Sequence, residues 1–259
     1  MHGFPDDSRI YHRQVPHLCP RRVVTFDWLG FGHSDRRPAG SGFNPRDRQG
    51  ELLAVLDTLK IPDAVLVGHD ASGPEAINFA LEHSDRVTAL VLLNTYYGRD
   101  QSLHFPEMIA LMGDPEYRQL VDAIMADEAQ RLWLLGYTAQ RFGGHFGDPD
   151  GLGAVSVLPQ FFGARDNPIA LEEIRAWTAH LPSALDTQDQ AVTAGKLRHL
   201  EMPAIVAFGA DDPYLTPALG RHVAGLFTNP TVHDIPHASH WPQWDQPQAV
   251  AHLINNTLG

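Results

Sequence analysis

The residues at positions 64–73 carry the most chemistry in this sequence, because an aspartate stands where an apolar run turns into a helical pattern. They read Ala-Val-Leu-Val-Gly-His-Asp-Ala-Ser-Gly, with Asp70 at the turn. A nucleophile on a sharp strand-to-helix turn needs small neighbours, and Gly68, Ser72 and Gly73 supply them. A carboxylate is ionised near pH 7 and can displace a leaving group from saturated carbon directly. The residue type therefore predicts alkyl transfer to Asp70.

Two other interpretations of this turn explain less. An aspartate at a helix start also caps orphan N–H groups and suits the helix dipole, but that role leaves the apolar run and the small flanking residues unexplained. Ser72 is a second candidate nucleophile. The G-x-S-x-G pattern needs glycine-like residues two positions to either side of the serine, where this sequence has Asp70 and Pro74.

Short apolar runs rich in β-branched residues alternate with helical patterns, which indicates an α/β protein with a mainly parallel sheet and right-handed crossovers. The predicted strands are 22–26, 64–68, 87–93, 204–208 and 231–235. The predicted helices are 47–59, 71–82, 217–226 and 246–258. From about residue 96 to 196 the alternation is broken by a stretch rich in helix formers and aromatic residues. A helical excursion on the surface is one interpretation of that stretch.

Composition fits an ordinary globular enzyme. A chain of 259 residues with 43% hydrophobic content can bury one large α/β core, or a core and a lid. The formal net charge of -12 argues against nucleic-acid and anionic-membrane partners. The single cysteine excludes an intrachain disulfide framework, and no apolar run is long enough to cross a bilayer. We expect a cytoplasmic protein without metal or cofactor, since no metal-ligand spacing or G-x-G-x-x-G pattern occurs.

Four further segments accompany the Asp70 turn. They read His-Gly-Phe-Pro at 2–5, Phe-Asp-Trp-Leu-Gly-Phe-Gly-His-Ser-Asp at 26–35, Phe-Gly-Ala-Asp-Asp-Pro at 208–213 and His-Ala-Ser-His-Trp-Pro at 237–242. In this order they resemble the α/β-hydrolase superfamily, and within it the Asp-nucleophile branch of epoxide hydrolases and haloalkane dehalogenases. The resemblance implies an α/β-hydrolase fold with helices on both faces of the sheet. It also implies a core at 1–95 and 197–259 and a helical cap at 96–196.

The resemblance assigns a base and an acid. His240 matches the family's base, which activates the water that hydrolyses a covalent ester, and His237 is the runner-up. Asp212 would orient the imidazole and stabilise its positive form, although the neighbouring Asp211 has the same chemistry. Asn94 occupies the position where one dehalogenase group carries its acid, and an amide cannot supply that charge.

Two backbone N–H groups complete the site that the resemblance implies. Those of Phe4 and Ala71 would hold a carboxylate oxygen of Asp70 while its ester carbon becomes tetrahedral. The position of Phe4 depends on the start of the chain, where the sequence departs from the family's pattern.

In the family the His-Gly motif follows the third strand, whereas here His2 follows Met1 directly. Three strands are missing by this comparison, and one of them is central, between the segments at 22–26 and 64–68. Each backbone N–H or C=O group of a strand that is buried without a hydrogen-bond partner lowers the free energy of unfolding by roughly 1–3 kcal/mol. We therefore expect an N-terminal truncation or a misassigned start. If the sequence is complete, its stability and oxyanion site are in doubt.

The leaving group is less well determined by the sequence. Dehalogenases typically clamp halide with a Trp after the nucleophile and a Trp or Asn elsewhere, but this chain has Ala71 and Phe4 at those positions. Epoxide opening needs an acid for the alkoxide, usually a cap tyrosine, and we favour Tyr137 for this role. Aromatic packing accounts equally well for each tyrosine in the region, namely Tyr96, Tyr97, Tyr117 and Tyr137.

The sequence thus predicts a capped hydrolase in which Asp70, His240 and Asp212 act on a small apolar electrophile and water, with an epoxide as the favoured substrate. Haloalkane dehalogenation is the alternative reaction. A catalytically silent scaffold that binds a small ligand is the alternative of another class. The sequence does not indicate the oligomeric state.

Overall fold

A parallel four-stranded sheet forms the centre of the computed structural model, which describes residues 1–37, 45–142 and 168–258. The strand order is β1-β2-β3-β4, and each of the three neighbouring pairs is parallel. The strands are β1 (Ala64–Asp70), β2 (Val87–Thr95), β3 (Ala204–Gly209) and β4 (Pro230–Ile235). Parallel neighbours require crossover connections, and helices lie in each of them.

The α-helices are numbered in chain order. Those in the described residues are α1 (Pro45–Thr58), α2 (Ser72–Glu82), α3 (Glu107–Gly113), α4 (Arg118–Ala126), α5 (Glu128–Arg141), α6 (Pro168–Thr193), α7 (Pro217–Gly225), α8 (Pro242–Asp245) and α9 (Pro247–Leu258). Short 3-10 helices occur at Ser8–Tyr11, Val15–Leu18, Ser84–Arg86, Pro115–Tyr117 and Lys196–His199. Within the described ranges, none of the helices has the length and apolar character needed to cross a bilayer.

The two central strands, β2 and β3, are buried almost throughout, because helices cover both faces of the sheet. Successive side chains of β2 point to opposite faces. Leu90 packs in one apolar cluster with Ile77 of α2, whereas Val91 packs in a second cluster with Ile254 of α9. The near-continuous apolar runs in the sequence therefore correspond to strands that are covered on two sides.

Four of the five predicted strands are confirmed, and the prediction of a strand at 22–26 is wrong. Residues 22–26 have no regular secondary structure. A strand requires a hydrogen-bonded neighbour. Within the described residues, the sheet ends at β1, whose outer edge is met by Met1 alone: the Met1 amine donates to Val67 O (2.8 Å) and His69 N–H donates to Met1 O (3.3 Å). The segment at 22–26 consequently lies without a strand to pair with.

The chain between β2 and β3 contains helices α3 to α6, in the region where the sequence breaks its strand-helix alternation. Helix α6 touches the start of the chain, since the ring of Trp177 stacks on that of Phe4 with centroids 4.0 Å apart and planes 9° from parallel. Glu173 of the same helix lies 3.3 Å from the Arg37 guanidinium. These contacts place α6 beside the carboxyl end of β1.

Gly209 ends β3 at a backbone crossing that has no room for a side chain. A Cβ there would overlap the carbonyl oxygen of Ser239 and lie 2.6 Å from that of Ala238. We expect Gly209→Ala to lower the free energy of unfolding by about 1–3 kcal/mol, measured by urea denaturation. Gly136 in α5 is the matched control, because a Cβ there meets no surrounding atom within 4 Å. Equal losses in both variants would contradict the crowding.

Candidate active site

Asp70 lies at the carboxyl end of β1 with a φ of 51°, in the left-handed region that non-glycine residues seldom adopt. Its carbonyl oxygen accepts a hydrogen bond from Thr95 Oγ1 at 2.6 Å. A Cβ on Gly68 would lie 2.7 Å from the Ser72 carbonyl oxygen, and one on Gly73 would overlap the Thr95 side chain. Gly68 and Gly73 are therefore required by the close packing around this turn.

The carboxylate of Asp70 is held by backbone N–H groups from two separate segments. Phe4 N–H donates to Asp70 Oδ2 at 2.9 Å, and Ala71 N–H also donates to this side chain. Burial raises the pKa of Asp70, while His240 and these two N–H groups oppose the rise by favouring the charged form. The structure thus brings both predicted oxyanion donors to the predicted nucleophile.

His240 is buried next to this carboxylate, in the loop before α8. Its Nδ1 lies 2.8 Å from Asp212 Oδ2. Burial alone would lower the pKa of His240, but the charge of Asp212, the hydrogen bond to it and the charge of Asp70 together raise the pKa to about 9. The ring is therefore an imidazolium at neutral pH, which is paired with Asp212 and interacts electrostatically with Asp70.

Asp212 is fixed by four hydrogen bonds. Its Oδ2 accepts from His240 and from Asn94 Nδ2 at 2.7 Å, and its Oδ1 accepts from the backbone N–H groups of Tyr214 (2.9 Å) and Leu215 (3.1 Å). Every lone-pair direction of the carboxylate is then occupied by a donor. Asn94 thus supports the acid rather than replacing it, and the orientation of the His240 ring follows from that of Asp212.

Sequence reasoning missed His69, which precedes Asp70 on β1. Its Nε2–H donates to the His240 carbonyl oxygen at 2.8 Å, and the two rings pack edge to face with centroids 4.9 Å apart. Burial holds the pKa of His69 well below its usual range, so the ring is neutral. Its position at the carboxyl end of a parallel strand, beside the predicted nucleophile, was the available signal.

The alternative nucleophile, base and acid considered from the sequence do not lie at this site. Ser72 Oγ donates to the His2 carbonyl oxygen and accepts from Trp28 Nε1 at 2.9 Å, so the hydroxyl is engaged away from the histidine pair. His237 and Asp211 are exposed on the surface, whereas His240 and Asp212 are buried. Burial therefore favours His240 over His237 and Asp212 over Asp211.

A small cavity opens over Asp70 and His240. Its walls are mostly apolar and include Phe105 and Ile109 from the segment around α3, Phe142 after α5 and Trp177 of α6. The carboxylate of Asp70 therefore borders a mainly apolar surface.

The tyrosines are distributed differently from the prediction. Tyr137 is 37% exposed, its hydroxyl lies 3.5 Å from Glu107 Oε1, and it is not among the described residues that line the cavity. Tyr214 does line the cavity, and its hydroxyl donates to Glu107 Oε2 at 2.6 Å. Of the other tyrosines considered, Tyr117 is exposed and Tyr96 and Tyr97 are buried outside the cavity lining.

Comparison with known proteins identifies the family. The model of the alpha/beta hydrolase fold family matches residues 1–247, and the chain therefore belongs to this family. A haloalkane dehalogenase from Bradyrhizobium elkani USDA94 superposes with a TM-score of 0.73 at 18% identity, covering 99% of this chain and 87% of that one. This likeness supports the fold, with helices around the parallel sheet.

Curated relatives include several epoxide hydrolases. An epoxide hydrolase from Caballeronia sordidicola is 37% identical over 110 residues, which are 41% of this chain and 33% of that protein. Epoxide hydrolase 2 from Siraitia grosvenorii is 36% identical over 121 residues, 45% of this chain and 38% of that protein. The matches span less than half the length of these two relatives. Lipase LipV from Mycobacterium tuberculosis is also similar, at 31% identity over 133 residues, 51% of this chain and 49% of that protein.

The charge environment of His240 predicts its titration. We expect NMR of the His240 ring to give a pKa near 9, and Asp212→Asn to lower that pKa by removing the charge that raises it most. Because the folded-state pKa exceeds the unfolded value, the associated stability is complete below about pH 6.5 and is lost as the pH rises through 9. A His240 pKa that does not change in Asp212→Asn would contradict this assignment.

Proposed function

We propose that this protein hydrolyses epoxides with small apolar substituents through a covalent ester on Asp70. The observation that carries the proposal is the carboxylate of Asp70 on the left-handed turn, held by Phe4 and Ala71 N–H and facing the His240–Asp212 pair. The epoxide hydrolases among the curated relatives support the substrate class.

The first step is attack on an epoxide carbon by the Asp70 oxygen that does not accept from Phe4. A bond forms from Oδ1 to carbon, the strained carbon–oxygen bond breaks, and its electron pair stays on the leaving oxygen as an alkoxide. An acid must deliver a proton to that oxygen. Tyr214 lines the cavity, and its O–H would have to turn from Glu107 Oε2 to the alkoxide, so we assign it this role in preference to Tyr137, which lies outside the cavity lining.

Formation of the ester prepares His240 for the second step. The negative charge of Asp70 is one of the charges that raise the His240 pKa, and esterification removes it. The pKa then falls, the ring gives up its proton, which reprotonates the Tyr214 phenolate left by the first step, and the neutral imidazole can take a proton from water. The resulting hydroxide attacks the ester carbon of Asp70, and the N–H groups of Phe4 and Ala71 stabilise the tetrahedral oxyanion. Collapse of this intermediate breaks the ester carbon–oxygen bond, the proton of the added hydroxyl passes to the leaving diol oxygen, and the Asp70 carboxylate is restored.

Dehalogenation is the second candidate reaction, since it needs the same nucleophile and base. Two indole rings, those of Trp177 and Trp241, line the cavity and could supply halide-binding N–H groups. The Nε1–H of Trp241 is already donated to Asp6 Oδ2 at 2.8 Å. Epoxide opening is favoured because it does not require two indole donors.

Trapping the intermediate tests the nucleophile and the substrate class together. His240→Ala protein is incubated with styrene oxide or 1-bromobutane, its intact mass is measured, and the adduct is mapped by peptide fragmentation. We expect an adduct equal to the whole epoxide on Asp70, because the variant can form the ester but cannot activate water to hydrolyse it. An adduct of the butyl group alone would identify a dehalogenase.

The double variant Asp70→Asn with His240→Ala is the matched control, and it should carry no adduct. Circular dichroism shows whether each variant is folded. Folded His240→Ala protein that gains no mass from either reagent would refute the nucleophilic role of Asp70 and favour a silent scaffold that binds a ligand.

A pair of tyrosine variants tests the proton donor. Tyr214→Phe should slow alkylation of Asp70 by an epoxide by roughly 10²- to 10⁴-fold, because the alkoxide loses its acid. Tyr137→Phe should leave the rate nearly unchanged, since Tyr137 is 37% exposed and is not among the described residues that line the cavity. Single-turnover kinetics measure both rates, and the reverse order of effects would restore Tyr137 as the donor.

A further inference from the structure

The hydroxyl of Tyr214 lies between two groups of opposite charge. It donates to Glu107 Oε2 at 2.6 Å, and it accepts a hydrogen bond from the Arg141 guanidinium, whose Cζ lies 5.9 Å from the centre of the Tyr214 ring. Glu107 is the first residue of α3, and Arg141 is the last residue of α5. Two helices from the region between β2 and β3 therefore meet at one side chain of the loop after β3.

The preference of helix ends for charged residues does not account for this arrangement. A carboxylate at the start of a helix and a guanidinium at the end of one are each favoured by the helix dipole. That preference explains the types of Glu107 and Arg141, but it does not require the two side chains to reach the same hydroxyl. Tyr137 is bound less closely, since its hydroxyl lies 3.5 Å from Glu107 Oε1. The two charges therefore converge on Tyr214.

The backbone and the ring of Tyr214 are both held next to the candidate active site. Its N–H donates to Asp212 Oδ1 at 2.9 Å, and its ring packs edge to face on that of Phe142, with centroids 5.0 Å apart. The Phe142 ring in turn lies 5.1 Å from the ring of His240. Because these contacts fix the position of Tyr214, its neighbours can act on the hydroxyl without moving the side chain.

The two charged neighbours change the acidity of Tyr214 in opposite directions. Burial and the hydrogen bond to Glu107 raise the pKa of Tyr214, whereas the hydrogen bond from Arg141 and its charge lower that pKa. The hydrogen bond from Tyr214 lowers the pKa of Glu107, which is therefore a carboxylate at neutral pH. The charged groups on the core side include Asp212 and His240, which form an ion pair with each other.

We propose that Arg141 and Glu107 are positioning residues that control proton transfer from Tyr214 to the alkoxide, with Arg141 assisting the transfer and Glu107 restraining it. This inference rests on the proposed function, in which Tyr214 is the acid. The Tyr214 O–H bond breaks, a new O–H bond forms on the alkoxide, and the electron pair stays on the phenolate oxygen. Arg141 keeps its charge and its hydrogen bond to that oxygen. Glu107 loses its donor and repels the new negative charge.

The acidity of Tyr214 can be measured at the ring itself. Replacing Tyr214 by 3,5-difluorotyrosine lowers the intrinsic pKa of the ring, so that it titrates while the protein is folded, and ¹⁹F NMR reports this ring alone. We expect Arg141→Gln to raise the pKa of the fluorinated ring and Glu107→Gln to lower it. The matched controls are Arg118→Gln and Glu116→Gln, which remove the same charges from the start of α4 and from the turn before it. They should leave the pKa nearly unchanged.

The rate of Asp70 alkylation by styrene oxide is the second measurement, made in the protein with its natural Tyr214. Glu107→Gln should speed alkylation and Arg141→Gln should slow it, each by about two- to fivefold relative to the controls, which is the range expected for interactions of partly exposed charges. A purely structural role of the two residues would instead slow alkylation in both variants.

The two measurements separate this inference from the proposed function. Opposite pKa changes accompanied by the matching rate changes would support the inference. Opposite pKa changes without a change in the alkylation rate would refute Tyr214 as the acid, and with it the control of proton transfer. Changes of the ring pKa in the same direction in Arg141→Gln and Glu107→Gln, or changes no larger than in the controls, would overturn the inference and leave the proposed function intact.

Discussion

The left-handed backbone of Asp70 is the constraint on which the candidate site depends. With φ at 51°, the chain turns from β1 into α2 within one residue and leaves the carboxylate at the end of the strand. Gly3 must approach closely there, since a Cβ on it would lie 2.7 Å from Asp70 Oδ2. That approach brings the N–H of Phe4 to the carboxylate. The proposed nucleophile and the proposed oxyanion donors are thus positioned by a single packing arrangement.

The candidate site also requires that its buried charged groups stabilise one another. A buried carboxylate and a buried imidazole would each prefer their neutral forms, but together they stabilise each other's charges. Asp212 adds a second negative charge on the far side of the ring and is itself satisfied by Asn94 and by backbone N–H groups. The resting site therefore stores an imidazolium, and the proposed reaction releases its proton only after Asp70 has been neutralised as an ester.

Much of this arrangement could be predicted from the sequence, because local patterns determine it. The apolar runs predicted β1 to β4, and the spacing of the motifs selected Asp70, Asp212 and His240, which the structure brings together. The prediction of a strand at 22–26 was wrong for a non-local reason. The segment has the apolar pattern of a strand, but a strand also needs a hydrogen-bonded neighbour.

The tyrosines and His69 also depend on contacts between distant segments, which the sequence does not reveal. The sequence favoured Tyr137, which lies on α5, whereas the tyrosine that lines the cavity is Tyr214, in the loop after β3. His69 had no motif of its own, and its contact with the His240 carbonyl depends on two segments 171 residues apart. Contacts between side chains that lie far apart in the sequence could not be predicted from one sequence.

A single-turnover reaction in ¹⁸O-labelled water tests the central claim most directly. Excess protein is mixed with an epoxide, and the diol and the peptide that contains Asp70 are analysed by mass spectrometry. Our account predicts an unlabelled diol and one ¹⁸O in the Asp70 carboxylate, because the new carbon–oxygen bond is made by Asp70 and water attacks the ester carbon. Label in the diol with none in Asp70 would mean direct attack by water and would contradict the covalent mechanism.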